Sequence, residues 1–280
     1  MLYDSHAHLN SDYFEEGERE EFMQKTLDAI ESGLLSYVND IGCDLPSSKV
    51  AYDNAQKYPW CYAVVGCHPH EAKDFDETQL MFIKNLAGKD KVQAIGEIGL
   101  GFYYDHSPRD EQRYWFRRQI QLANELRMPI VIHSREADQE CLDILKEEGA
   151  FSDERKSWFP KRPGPDGTEV PDARVLLHCF SGSAELAKQY VKLGATISMA
   201  GPVTYKNNRR GVETVEQIPV EFLLVETDSP FLTPVPHRGK KNCPAYVEHT
   251  ARRMAVIKGI PFEELARITC ENAKRFFNIK

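Results

Sequence analysis

Residues 1–8, Met-Leu-Tyr-Asp-Ser-His-Ala-His, join a short apolar run to two histidines, and this combination determines the fold class. The run has the length and composition of a buried parallel strand, and His6 and His8 come at its C-terminal end. Because alternate side chains of a strand share a face, both imidazoles can point at one ion while Ala7 points away. The carboxyl ends of parallel strands are where α/β enzymes carry their reactive groups.

Four more apolar runs end in the same way, at a histidine or a carboxylate. They are residues 94–96 before Glu97, 129–132 before His133, 175–177 before His178, and 222–225 before the Glu-Thr-Asp sequence that ends at Asp228. Local sequence cannot bring these side chains to the first pair of histidines. Only a closed or tightly wound parallel sheet can do so.

Eight candidate strands alternate with amphipathic segments of helical spacing. The strands are predicted near residues 2–5, 35–39, 62–65, 92–97, 130–133, 175–178, 195–199 and 222–226. Two further amphipathic stretches follow the last strand, and we expect them to pack outside the barrel or close its base. The simplest arrangement is one domain over residues 1–280, a TIM-type (β/α)8 barrel with additional C-terminal helices.

One connection in the chain is irregular. Residues 151–174 contain four prolines and two glycines, which predicts that no regular element forms there. The segment joins a helix to the next strand, so we expect this insertion on the face opposite the reactive groups, without a catalytic role.

Composition and charge exclude several classes of protein. No apolar stretch reaches the roughly 20 residues that span a bilayer, and the N-terminus lacks a basic segment followed by an apolar one. Seven cysteines without CxxC spacing indicate reduced thiols and no thiolate zinc site. We therefore expect a cytoplasmic protein with no membrane association and see no sign of an obligate protein partner. The net charge of −8 argues against a broad nucleic-acid-coating surface, although basic clusters at 206–210 and 238–241 could form a small cleft.

Four histidines and two carboxylates at strand ends suit divalent ions, because imidazole favours zinc or iron and carboxylate admits manganese or magnesium. The predicted metal ligands are His6, His8, Glu97, His133, His178 and Asp228. Glu97 is predicted to bridge two ions, the first held by His6, His8 and Asp228 and the second by His133 and His178. Asp228 is the predicted base that takes a proton from the attacking water. A single such residue is more often structural, but six at matching positions predict metal-assisted hydrolysis.

Motifs along nearly the whole chain resemble those of one family. They lie at residues 4–8, 96–100, 133–135, 178–182, 226–230, 236–240 and 271–273. Together they are similar to the TatD-related metal-dependent deoxyribonucleases of the amidohydrolase-like superfamily. The resemblance implies a TIM-type barrel that binds two or three divalent ions, Mg, Mn or Zn. It also implies cleavage of phosphodiester bonds in DNA, as a 3′-5′ exonuclease-like activity on single-stranded or end-bound substrate.

The resemblance implies roles for individual residues. The six predicted ligands match the family's ligand positions, and Asp228, Glu97 and His68 are predicted to be catalytic. His68, which could alternatively cap its loop, matches a position near the substrate. Arg135, Lys206 and Arg238 are predicted to contact substrate phosphates.

The chain departs from the family at two places. Gly101 stands where the family usually has Asp, so a carboxylate that supports the metal ligands is missing, and the connection at 151–174 is usually short. Two other functions remain open. One is a metal-dependent hydrolase of small esters, lactones or amides, because the same chemistry serves both substrates. The other is a non-catalytic metal-binding scaffold that engages partners through the insertion.

Overall fold

The computed structural model describes residues 1–279. Eight parallel strands form one sheet in chain order: β1 (Leu2–Ala7), β2 (Leu35–Ile41), β3 (Cys61–Val65), β4 (Val92–Gly101), β5 (Ile130–Arg135), β6 (Val175–Leu177), β7 (Thr196–Met199) and β8 (Leu223–Val225). The chain after β8 returns to β1, where the His8 amide donates to the Ser229 carbonyl at 2.8 Å. The nearly closed sheet confirms the predicted TIM-type (β/α)8 barrel.

Helices connect the strands and follow the last of them. They are α1 (Glu18–Glu31), α2 (Leu45–Lys57), α3 (Glu77–Ala87), α4 (Arg109–Leu126), α5 (Asp138–Glu147), α6 (Asp153–Ser157), α7 (Ala184–Leu193), α8 (Arg209–Gln217), α9 (Val247–Lys258) and α10 (Phe262–Phe276). Local sequence sets their ends. The Ser183 side chain accepts the Leu186 amide at the start of α7, and Gly194 ends that helix with a φ of 105° that favours glycine. Within residues 1–279, every helix is too short or too polar to cross a lipid bilayer.

The barrel interior is packed, and its base is closed. One side chain from each of seven strands points inward: Tyr3, Ile41, Val64, Ala94, Val131, Leu176 and Leu224. The C-terminal end of α10 and the residues after it pack against this layer, and the rings of Tyr3 and Phe277 lie 6.0 Å apart. Of the two positions expected for the C-terminal helices, α10 therefore takes the one at the base. Only the opposite end, where the strands terminate, is free to hold a site.

Strand β4 is longer than the sequence predicts. We expect it to end at Glu97, but it continues to Gly101, which pairs with Arg135 at the end of β5. The pairing with β5 shifts register between Ile95 and Ile98, so Glu97 lies at an irregularity inside the strand. The placement of Glu97 and His133 at strand ends was therefore wrong by a few residues, because pairing with a neighbouring strand extends each strand beyond its apolar run.

The prediction that residues 151–174 lack regular structure was also wrong. They contain α6 and an antiparallel hairpin formed by Arg162–Pro163 and Glu169–Val170. Ser152 caps α6, since its hydroxyl accepts the Arg155 amide. The prolines lie at the ends of these elements or in the links between them, where they are tolerated.

A buried arginine anchors this insertion. Arg155 is fully buried, and its guanidinium donates to the carbonyls of Met128 and Ala173 and to the Asn124 side chain at 2.7–2.8 Å. Met128 precedes β5 and Ala173 precedes β6, so these bonds lie where the two strands begin. On this basis we propose that the insertion has no catalytic role.

Candidate metal centre

Glu97 is 3% exposed, and its two carboxylate oxygens face two different pairs of imidazoles. Oε2 lies 3.2 Å from His6 Nε2 and 3.9 Å from His8 Nε2. Oε1 lies 2.6 Å from His178 Nε2 and 2.7 Å from His133 Nδ1. The barrel thus places one carboxylate between the histidines near the end of β1 and those near the ends of β5 and β6, which come from opposite sides of the barrel.

Asp228 lies on one side of this cluster only. Its Oδ1 is 3.3 Å from His8 Nε2 and 3.7 Å from His6 Nε2. The Asp228 amide donates to the His6 carbonyl at 2.8 Å, which fixes the loop after β8 against β1. All six residues predicted as ligands therefore meet at the mouth of the barrel, although the sequence separates them by more than 220 positions.

The side chains fit a divalent cation. His8 Nδ1 lies 3.0 Å from the Ile41 carbonyl, so this nitrogen donates its proton, and Nε2 is the nitrogen that faces Glu97 and Asp228. Both ring nitrogens of His6 are buried, and neither makes a hydrogen bond to any residue among 1–279. His6 Nε2 has a 3.2 Å contact with Glu97 Oε2 that lacks hydrogen-bond geometry. A buried imidazole without a hydrogen bond is unfavourable, and a cation bound at its lone pair would remove that cost. Nitrogen and carboxylate ligands in this number suit zinc or manganese and also admit magnesium.

The charges in the cluster also favour a cation. Burial opposes ionisation of Glu97, but His178 and the other imidazoles hold the pKa of this carboxyl well below its usual value. Burial likewise opposes ionisation of Asp228, and the bond with His8 together with the nearby imidazoles holds its pKa below the usual value. Both carboxylates are therefore negatively charged at neutral pH.

His68 has one nitrogen in a cap and the other in the cluster. Its Nδ1 accepts the backbone amide of His70 at 3.0 Å, at the start of the short helix Pro69–Asp74. Its Nε2 consequently carries the proton and lies 3.6 Å from Glu97 Oε1. Burial and the neighbouring His133 lower the pKa of His68 well below its ordinary value. His68 is therefore a neutral hydrogen-bond donor, and it both caps its loop and faces the cluster.

Two buried carboxylates that the sequence analysis does not single out hold the ligands in position. Glu226 is fully buried, and its Oε1 accepts the Cys179 amide at 2.7 Å and lies 3.2 Å from His178 Nδ1. Asp4 accepts the Thr227 amide at 2.9 Å and the Thr227 hydroxyl at 2.6 Å. The only sequence signal for either residue is its place in an apolar strand beside a predicted ligand.

The three predicted phosphate contacts are exposed and lie outside the cluster. Lys206 lines a cleft of about 550 Å³, and the guanidinium carbon of Arg238 lies 4.0 Å from the ring centroid of the adjacent Tyr205. Arg135 lies at the end of β5, on another part of the rim. The structure thus places Lys206 and Arg238 next to the same residue and Arg135 apart from them.

Gly101 lies beside an imidazole nitrogen that lacks a partner. A Cβ atom at this position would be 3.3 Å from both His133 Nε2 and His70 Nε2. His133 Nε2 is buried and has no hydrogen-bond partner in the part of the chain described, 1–279. Since Nδ1 of the same ring faces Glu97, Nε2 is the nitrogen that a supporting carboxylate would hold.

We predict that Gly101→Asp increases affinity for manganese or zinc about tenfold, because the new carboxylate accepts the His133 Nε2 proton and makes the ring a stronger ligand. Isothermal titration of the chelated protein measures the change. Gly101→Ala is the matched control, since it adds the Cβ without the acceptor. Equal metal affinities of the Asp variant and the parent would contradict the proposal that glycine at position 101 weakens metal binding.

Comparisons with known proteins identify the relatives of this chain. The family model "TatD related DNase" matches residues 3–278. A Bacillus subtilis strain 168 protein named "Uncharacterized metal-dependent hydrolase YabD" is 41% identical over 279 residues, covering 100% of both chains. A protein of Escherichia fergusonii named "3'-5' ssDNA/RNA exonuclease TatD" is 33% identical over 286 residues, covering 99% of both chains.

A solved structure supports the fold. The crystal structure of YJJV, a TatD homolog from Escherichia coli K12, superimposes with a TM-score of 0.83 at 24% identity and covers 100% of this chain and 98% of that one. The match of the family model over almost the whole sequence and the 41% identity to the Bacillus subtilis protein establish the family. The chain belongs to the TatD-related DNase family.

Proposed function

We propose that this TatD-family metal-dependent hydrolase cleaves phosphodiester bonds in DNA. It removes nucleotides from the 3′ end of a DNA substrate that is single-stranded or bound at its end. The observation that carries the proposal is Glu97, whose two oxygens each face a separate pair of imidazoles. A carboxylate in this position is suited to bridge two cations. The name of the Escherichia fergusonii relative supports the choice of nucleic acid and direction.

The residues divide into two ligand groups around Glu97. His6, His8 and Asp228 would hold one divalent cation, and His133 and His178 would hold a second. When bound, such ions lower the pKa of a water molecule and draw charge from a phosphoryl oxygen. The ligand types are compatible with Mg, Mn or Zn.

The side chains supply proton acceptance and orientation. Asp228 Oδ1 is the proposed acceptor for the proton of the attacking water, and the pKa of this carboxyl, held below its usual value, keeps it ionised. His68 Nε2 carries a proton that it can donate as a hydrogen bond to a substrate oxygen. Glu226 orients His178, and the buried setting of these groups limits competition from bulk water.

The exposed rim offers a few cationic groups for the phosphates. Arg135, Lys206 and Arg238 are proposed to contact the backbone of the bound strand. Their small number and the net charge of −8 favour a short bound segment near a strand end over a long coated duplex.

The direct test is incubation with end-labelled single-stranded DNA in magnesium, manganese and zinc, beside the variant Asp228→Asn. We expect stepwise shortening from the 3′ end by the parent protein and a rate about 100- to 10,000-fold lower for the variant, because the proton acceptor is lost. Cleavage can be followed on a denaturing gel. No shortening with any of the three ions, or equal rates for parent and variant, would contradict the proposal.

Hydrolysis of small esters, lactones or amides is the second candidate, because the acidic net charge favours a small neutral substrate. The dependence on salt concentration distinguishes this function from cleavage of DNA. With about three phosphate contacts on a single strand, DNA affinity should fall roughly 20-fold between 50 and 200 mM salt. Turnover of a neutral lactone should not respond in this way.

A further inference from the structure

Two exposed tyrosines stand next to each other at the mouth of the barrel. Tyr103 and Tyr104 lie in the turn after β4, the strand that carries Glu97, separated from it by Phe102, and they are 52% and 54% exposed. Their rings lie 4.6 Å apart and nearly perpendicular. Single exposed aromatic residues are common, but a pair beside a polar catalytic mouth indicates a binding surface.

A chain of ring contacts connects this pair to the proposed metal centre. The Tyr104 ring lies 6.0 Å from the ring of His70, and His70 lies 4.4 Å from His68. His68 in turn faces Glu97. The ring of His106 stacks on Tyr104 at 5.4 Å with an interplanar angle of 21°. The imidazoles of His70 and His68 therefore lie between the tyrosines and Glu97.

Arg135 adds a positive charge to the tyrosine pair. Its guanidinium carbon lies 4.4 Å from the Tyr103 ring centroid and 5.2 Å from that of Tyr104. The guanidinium nitrogens of Arg135 make no hydrogen bond or ion pair with any residue from 1 to 279, and the side chain is exposed. A guanidinium packed on an aromatic ring keeps its N–H edges available for a phosphate. Flat aromatic surface and phosphate donors thus lie together.

We propose that Tyr103 and Tyr104 form a stacking subsite for an unpaired nucleobase, and that Arg135 contacts the phosphate of the same nucleotide. This inference rests on the proposed nuclease function and adds the selection of unpaired over paired ends. Bases inside a duplex stack on their neighbours, so only an unpaired or frayed base can use the subsite. Stacking of one base on an aromatic side chain increases affinity about 5- to 150-fold.

The test compares two double variants. Tyr103→Leu with Tyr104→Leu keeps apolar bulk but removes the aromatic faces, whereas Tyr103→Phe with Tyr104→Phe keeps them. The probe is a single-stranded 12-nucleotide DNA with phosphorothioate linkages, which resist cleavage, and a 2-aminopurine base near its 3′ end. Fluorescence titration gives its Kd, and quenching of 2-aminopurine reports stacking. The blunt duplex of the same sequence is measured beside it.

We expect the leucine variant to raise the Kd for the single strand at least fivefold and to lose the quenching, while the duplex Kd changes less than twofold. The phenylalanine variant should stay within twofold of the parent on both probes. Tyr114→Leu, at an exposed tyrosine on α4 that bonds to Glu77, is the matched surface control.

Unchanged single-strand affinity in the leucine variant, or equal weakening of both probes, would overturn the subsite while leaving the nuclease proposal in place. Failure of the parent to bind either probe, together with no cleavage of natural DNA, would instead overturn the nuclease proposal and the subsite with it. The two failures are thus distinguishable.

Discussion

Replacing Glu97 with glutamine is expected to reduce hydrolysis at least about 1000-fold, more than the 10- to 100-fold typical of residues that only support a ligand. The amide has the size of the carboxylate but lacks its charge. Of the six predicted ligands, Glu97 faces both pairs of histidines, with Oε2 toward His6 and Oε1 toward His178. The substitution therefore removes the shared negative charge and leaves an amide N–H₂ group directed at one of the pairs. Steady-state rates measure the loss of hydrolysis, and manganese titration measures the loss of cation binding.

A control separates this effect from a general loss of charge. Glu111→Gln makes the same chemical change at an exposed carboxylate on α4 and should retain the parent's rate and cation binding. Thermal unfolding of both variants checks that each is folded. If Glu97→Gln bound two manganese ions with the parent's affinity, Glu97 would not be a bridging ligand.

The barrel could be predicted because its determinants are local. Most strands are short apolar runs that parallel pairing buries on both faces, and the longer helices show apolar residues at a spacing of three and four. All eight predicted strands are present, and helices separate and follow them where the amphipathic segments predict. The C-terminal helix could be placed only as one of two alternatives, since its packing against Tyr3 depends on a contact across the whole chain.

Features that depend on pairing between distant segments could not be predicted. The end of β4 is set by its partner β5, and nothing in the apolar run before Glu97 shows that the strand continues to Gly101. The regular structure of the insertion depends on Arg155. Burial of this charged residue is favourable only because three distant oxygens accept its protons. A charged residue in a proline-rich segment is more often exposed.

The site could be predicted in part because its residues, like the strands, follow a local sequence pattern. Histidines and carboxylates after apolar runs mark the ends of strands, so their convergence follows from the barrel. Glu226 was missed because its role depends on the orientation of His178, which the sequence does not give. The basic residues on the rim are the opposite case. The sequence identifies their charge, but only the structure shows that Arg135 packs on two tyrosines.

Removal of divalent cations is expected to lower the melting temperature of the protein by about 5–10 °C. A cation present at 100 times its Kd stabilises the folded state by about 2.7 kcal/mol, and 1 kcal/mol corresponds to roughly 2–4 °C in a chain of this size. Without a cation, the folded state must bury the His6 imidazole with no hydrogen bond at either nitrogen, next to the ionised Glu97 and Asp228. The unfolded chain hydrates the same groups, so the cation binds the folded state preferentially.

Calorimetry of the chelated protein, before and after manganese or zinc is restored, measures this shift. The Glu97→Gln variant should show a much smaller response to the same additions, because the ligand that faces both pairs of histidines has lost its charge. An identical melting temperature with and without cations, together with hydrolysis that persists after exhaustive chelation, would mean that the cluster is held by hydrogen bonds alone. The stability of the folded chain thus tests the metal centre independently of any substrate.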